Sequence, residues 1–444
     1  MKKKLFRSSR LLAAAIAVGV VAAACSNSGG DGADPAASRA ANGSPGVTDS
    51  EIRFAMVGTK SNNPLGTCML DCFEQGVNAY FAYRNSAGGV DGRQLKVTTT
   101  IDDQLGQNKQ ASLQIITKND TFATFSAPMI ATGWADLAEQ GIPVYSLPWY
   151  PQDMNDRNSI FASNGVECIA CTRRMHAYAA QTVGATRIAT LGYGVSQSSK
   201  DCADSAARTI ELYKNDTGES VVYSNDTVAF GMPNGIGPEV TAMKAAGVQF
   251  IVSCFDINGQ KTLAQELKRQ GMANIPVYHS NSYDLEFMKA AGDLFESDIV
   301  GITFRPFEAD AEGNGLALFK KWMGEAGAEL TEVAAYGWIA AETAYEGIRA
   351  AGPGFTQASV VEATNRLTDF TAGGLVPAID WSRQHTMPTQ DDPAAHGPKQ
   401  ECLSILTYKG GKYEFTGGAT PEKPWVCWSN DNRAWSDPVP TSFE

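Results

Sequence analysis

The chain has 444 residues, 43% of them hydrophobic, and a formal net charge of −12 at pH 7. Such a length allows two globular domains beyond any leader segment. An acidic surface repels phosphate backbones and anionic lipid headgroups, so no nucleic-acid partner is expected. The first element in chain order is an address. Lys2, Lys3, Lys4, Arg7 and Arg10 form a basic stretch, and Leu11 to Ala24 is apolar and uncharged. That run is shorter than the ~20 residues that span a bilayer. With the small residues Ala22-Ala23-Ala24 as a cleavage site, residues 1–24 read as a signal peptide. Its removal takes the formal charge from −12 to −17.

Cys25 follows at once, and Val21-Ala-Ala-Ala-Cys25 resembles the lipobox of bacterial lipoproteins. That resemblance implies acylation of Cys25, which then becomes the first mature residue, anchored to the extracytoplasmic face of the cell membrane. The alternative is an ordinary secretory signal beside a chance cysteine. Residues 25–48 are rich in Ser, Gly, Ala, Asp and Pro. They cannot bury a core and are expected as a disordered tether. The membrane is then a partner through the lipid only.

Eight further cysteines, an even number outside the cytoplasm, point to disulfides. Cys402 and Cys427 bracket a terminal hairpin and should pair. Cys202 opens a helix and Cys254 ends a strand of one lobe, so they pair too. Local pairing then leaves Cys168 with Cys171 and Cys68 with Cys72. The Cys168-x-x-Cys171 spacing also admits zinc, but zinc wants four ligands and no second such motif exists. Neither a metal nor a cofactor is expected.

From Glu51 short apolar runs alternate with longer amphipathic ones. Ile52–Val57, Leu95–Ile101, Phe122–Phe125 and Pro143–Leu147 read as strands, with helices over Thr67–Asn85, Asn108–Lys118 and Thr132–Gln140. The alternation restarts with helix Arg173–Val183 and strand Arg187–Leu191, then helix Asp201–Lys214 and strand Val221–Tyr223. Helix Pro238–Ala246, strand Phe250–Ser253, helix Lys261–Gln270 and strand Pro276–His279 complete that run. Strands alternating with helices of this length make parallel sheets. Later come strand Ile299–Phe304, helices Leu316–Ala326, Ala334–Ala351 and Val360–Leu367, and a hairpin of Leu403–Tyr408 with Tyr413–Phe415. The expected fold is α/β, two lobes each with a mainly parallel sheet flanked by helices.

Asn85-Ser-Ala-Gly-Gly-Val-Asp-Gly-Arg93, Asp102 at a strand end, Gly141-Ile-Pro143, Leu267-Lys-Arg-Gln-Gly271 and Thr343-Ala-Tyr-Glu-Gly-Ile348 occur in this order. Together they resemble the type I periplasmic binding proteins of branched-chain amino-acid ABC transporters. The resemblance implies two lobes closing on a solute, with three hinge crossovers near Phe161, Asp298–Arg305 and Gly374–Pro377, so that the first lobe takes residues 49–161 and 298–374 and the second 162–297 and 375–444. In α/β sheets, ligands sit outside the carboxyl ends of the strands. The first-lobe candidates there are Thr132, Trp149 and Tyr150. The family's Ala-x-Thr after the fourth strand is here Pro148-Trp149-Tyr150, which suits stacking on a flatter solute; packing against the hinge is the alternative. The second-lobe candidates are Tyr193, Ser196, Ser198, Phe255, Asp256, Tyr283 and Asp284, with Tyr336 on a late helix. Asp256 and Asp284 could meet a cationic group or merely cap helices, and Thr132 too could be a cap.

No G-x-S-x-G elbow, P-loop or dinucleotide fingerprint occurs. The family resemblance implies the solute-binding part of an ABC importer, and the lack of these motifs gives no reading as an enzyme. It would capture a small amino-acid-like or related polar or aromatic solute as a monomer, with permease subunits as its membrane partner. A lipid-anchored sensing module is the alternative, and a lipoprotein hydrolase a more distant one.

Overall fold

The computed structural model describes residues 43–280, 282–390, 397 and 399–443. Cys25, the leader and most of the tether lie outside the described residues. No described helix is long and apolar enough to cross a membrane.

The first sheet has five parallel strands in the order β2-β1-β3-β4-β5. They are β1 Glu51–Gly58, β2 Gln94–Asp102, β3 Ala123–Ala127, β4 Val144–Ser146 and β5 Ile160–Ala162. β3, β4 and β5 are buried at every position. That is the continuous apolar run expected of parallel strands covered on both faces. The helices between them are α1 Leu70–Ser86, α2 Asn108–Lys118, α3 Trp134–Glu139 and α4 Pro151–Met154.

The second sheet runs β14-β13-β11-β10-β9-β8-β6-β7, with β12 paired on β11. β6 Arg187–Tyr193, β7 Ser220–Val228, β8 Phe250–Cys254, β9 Val277–His279 and β10 Ile299–Ile302 pair in parallel. β11 Gln400–Lys409, β12 Lys412–Phe415, β13 Trp425–Ser429 and β14 Val439–Thr441 return antiparallel. α5 Arg174–Thr182 leads into this sheet, and between its strands lie α6 Gln197–Thr217, α7 Gly237–Ala245, α8 Ile257–Arg269 and α9 Leu285–Ala290. After β10 come α10 Gly315–Glu325, α11 Glu332–Ala351 and α12 Gln357–Thr364.

The sequence reading placed residues 298–374 together in the first lobe, but β10 hydrogen-bonds β9 and β11 in the second sheet. Only the helices that follow return to the first sheet. α11 crosses α1 so closely that Gly76 faces the backbone of Ala334 while Gly337 faces that of Phe73. A Cβ at either glycine would collide with backbone. Trp338 fills the same seam, perpendicular to Tyr80 at 5.0 Å and stacked on Tyr83 at 6.1 Å.

Several helices begin earlier than read. α6 and α8 start four residues sooner because Ser196 and Asp256 accept first-turn N–H groups, and α11 starts after the Thr331 cap. All four expected disulfides form: Cys68–Cys72, Cys168–Cys171, Cys202–Cys254 and Cys402–Cys427.

One buried acid works against this fold. Glu219, just ahead of β7, is withdrawn from water, and burial pushes its pKa up to about 8, the Thr217 hydroxyl offsetting little of this. An acid whose folded pKa lies above its unfolded value costs stability as pH rises between the two. Glu219→Gln should therefore stabilise the protein by about 1–3 kcal/mol at pH 8. The gain should vanish below the ordinary carboxyl value of 4.5. Urea titrations of both proteins at the two pH values check this, and a pH-independent difference would mean that the carboxyl is not the cause.

Candidate functional site

The carboxyl ends of β1, β3 and β4 carry the first group of candidate residues, and buried polar groups hold their loops in place. Thr59 donates to Asp103 at 2.7 Å and accepts from the Met129 N–H at 2.9 Å. Asn108 bonds the same Asp103 at 3.1 Å and accepts from the Gly133 N–H at 2.9 Å. Asp103 thus ties the loops after β1, β2 and β3 into one platform. Tyr150 is spent on that platform too, its hydroxyl donating to the carbonyls of Met129 and Pro128 at 2.7 and 3.0 Å. Thr132 is exposed, and Gly133 rather than Thr132 stands at the N-cap of α3. Trp149 is half-buried and meets the ring of Tyr336 edge-on at 6.3 Å.

On the second sheet, Tyr193 donates to Asp256 at 2.7 Å, and its ring lies on the fully buried Phe255 at 4.5 Å. Asp256 also accepts from the N–H groups of Asn258 and Gly259 at 2.9 and 3.2 Å, so it caps α8. Ser196 caps α6, and Ser198 sits half-exposed in that helix's first turn. Asp284 caps α9 through the Phe287 N–H at 2.9 Å yet remains exposed. For both aspartates the capping alternative is realised.

Trp149, Tyr336 and Tyr283 are brought together by a residue the sequence reading did not name. Phe304, just after β10, lies 5.5 Å from the Tyr336 ring and 5.8 Å from that of Tyr283. The result is a row of rings running from the β4 loop to the β9–α9 segment. Two further unnamed residues line this row. Tyr283 donates to Glu308, and Tyr336 donates to Glu332 at 3.0 Å. Burial raises the pKa of Glu308 and lifts that of Glu332 to about 7; the Tyr336 hydrogen bond lowers the latter, and the charge of Asp284 raises it again. Thr303 reaches the Tyr336 hydroxyl at 3.2 Å and takes a bond from Asn164 at 2.8 Å, linking the row to two crossovers. The Glu332-x-x-x-Tyr336 spacing, one turn apart on a helix, was the available signal for Glu332.

A cavity of about 410 Å³ lies beside these residues, among the crossovers. Its basic residues are already paired, Arg173 with Glu167 at 3.1 Å and Lys399 with Asp380 at 3.5 Å. Among the described residues no cluster of His, Cys, Asp and Glu is placed to hold a metal ion.

No curated protein matches this sequence. Solved structures do. LivJ of Streptococcus pneumoniae, a branched-chain amino-acid transporter substrate-binding protein in complex with isoleucine, superposes with a TM-score of 0.63 at 16% identity, covering 83% of this chain and 99% of its own. A branched-chain amino-acid ABC transporter structure from Thermus thermophilus with bound valine gives 0.63 at 17% identity, with coverage of 82% and 96%. The fatty acid ABC transporter substrate-binding protein of Thermomonospora curvata gives 0.61 at 16% identity, with coverage of 90% and 94%. These share the fold of two sheets flanked by helices. A family model described as periplasmic binding protein matches residues 51–407. The chain therefore belongs to the periplasmic binding protein family, extracytoplasmic proteins that bind small solutes and interact with ABC permeases.

Proposed function

We propose that this protein is the solute receptor of an ABC importer, a monomer held at the membrane by an acyl group on Cys25. It captures an amino-acid-like solute by closure of two lobes. One lobe comprises residues 49–161 and 303–374, the other 162–302 and 375–444, so that β10 stays with its sheet. The observation that carries the solute class is the pair of half-buried carboxylates bonded to the aromatic row, Glu308 at Tyr283 and Glu332 at Tyr336. An ammonium group placed beside the aromatic row pairs with these carboxylates and gains cation–π attraction from the half-buried Trp149.

Exposed Ile130, Val195 and Phe230, which follow β3, β6 and β7, favour a solute with an apolar body as a second requirement. One of the similar structures is named for fatty acid transport. Thermal-shift and calorimetric titrations with L-isoleucine, L-phenylalanine, putrescine and decanoate separate these chemistries. Compounds with an ammonium group should raise the melting temperature by mass action, and Trp149→Ala should weaken their binding by about 1–2 kcal/mol. Binding of decanoate alone would assign the cleft to fatty acids.

A further inference from the structure

The loop between β1 and α1, residues 59–69, is built unlike a flexible connection. The Asp102 carboxylate accepts from the Lys60 N–H at 3.0 Å and from the Ser61 N–H at 3.0 and 3.2 Å. Asn63 donates to the Thr67 carbonyl at 2.7 Å and accepts from the Leu65 N–H at 3.0 Å. Lys60 pairs with Asp71 at 2.9 Å, and Cys68–Cys72 fastens the loop's end to the first turn of α1. Asn62 and Gly66 take the left-handed conformation, φ 59° and 76°, that shapes its two bends. So tied, the loop keeps one shape.

That shape reaches the other sheet. The Asn258 side chain, in the first turn of α8, donates to the Pro64 carbonyl at 3.3 Å. Gly66 lies so close that a Cβ there would stand 2.8 Å from the Asn258 amide nitrogen. Asn258 is in turn held from below: Asp256 binds its N–H, and Tyr193 braces Asp256 from the other side. Tyr193 and Asp256, whose polar atoms are engaged here, thus have a task without touching a solute. They fix the helix turn that presents Asn258 to the first lobe.

We infer that Asn258 and the disulfide-tied loop form a latch across the mouth of the cleft, and that Asn258 sets how long a solute stays bound. This rests on the proposed lobe closure. Opening must break the Asn258–Pro64 hydrogen bond and draw Asn258 away from Gly66. Because the loop is pre-organised, re-forming the contact costs little chain entropy.

The test measures the lobe-to-lobe distance by pulsed dipolar spectroscopy on the full chain carrying Cys25→Ser. Spin labels go on Leu113→Cys in α2 and Leu212→Cys in α6, both exposed positions. Without solute, Asn258→Ala and Asn258→Leu should both lower the closed-to-open ratio about fivefold, the share a single neutral hydrogen bond supports. Asn258 is exposed and does not cap α8, so unchanged melting temperatures should accompany the shift. If wild type shortens its distance with L-isoleucine or putrescine while both variants match solute-free wild type, the latch is wrong and closure stands. One fixed distance in all proteins, with and without either compound, overturns closure and latch together.

Discussion

Replacing Cys202 and Cys254 together by alanine should cost about 4 kcal/mol of stability, twice the loss from the same treatment of Cys68 and Cys72. The two cross-links differ in how much chain they close, with sequence separations of 52 and 4. In the chain-entropy account a longer loop removes more freedom from the unfolded state, giving about 4 kcal/mol for the first and about 2 for the second. The native state adds a reason of the same sign. The Cys202–Cys254 bond pins α6 to the carboxyl end of β8, where Ser199 also bonds the Cys254 carbonyl at 2.6 Å and the Tyr193 N–H at 2.7 Å. Losing the cross-link frees the helix that carries this junction. Urea unfolding of the two double variants measures the difference; equal midpoints would show that loop length does not govern it.

The second large effect concerns Glu332. Its pKa of about 7, raised by burial and by Asp284, means that at neutral pH only part of the population carries the charge an ammonium group seeks. A cationic solute binds the ionised form, so affinity should increase as pH rises from about 6 to 8. Glu332→Gln should lower affinity for such a solute by about 10- to 100-fold, or about 1.4–2.7 kcal/mol, and flatten the pH profile. Asp284→Asn removes the repulsion that helps keep Glu332 protonated, so the midpoint of the profile should move to lower pH. Calorimetry across that range on the three proteins reads all of this. A fatty acid should show the opposite slope in wild type, binding better as Glu332 takes up its proton.

Much of the fold is legible in the sequence because parallel strands covered on both faces betray themselves as uninterrupted apolar runs. Phe250–Cys254 is of this kind, and the helix Asn108–Lys118 agrees to the residue. β5 and α4 escape because three or four residues hold too little pattern to show a period. β13 and β14 escape for a different reason. Trp425–Ser429 is a strand because β11 lies beside it, with Cys402 opposite Cys427, and no local signal reports a partner more than 20 residues away. The site divides likewise. Trp149 and Tyr283 are candidates by the rule that solutes meet strand ends, and Tyr336 by its place at the start of a late helix. Glu308 gains its meaning only when the second crossover docks, and of the two roles open to Asp256 and Asp284 in the sequence, helix capping is the one their N–H partners show.

The return of α11 to the first sheet decides when that lobe can fold. Phe73 and Tyr80 on α1 are covered by α11, which the chain supplies only after the strands of the second sheet as far as β10. Until residues 332–351 arrive, the early α/β units present a bare aromatic face, and no local rearrangement can hide it. Contacts joining residues so far apart in sequence slow folding and leave sticky surface exposed meanwhile. A fragment ending near residue 300 should accordingly aggregate rather than yield a folded first lobe.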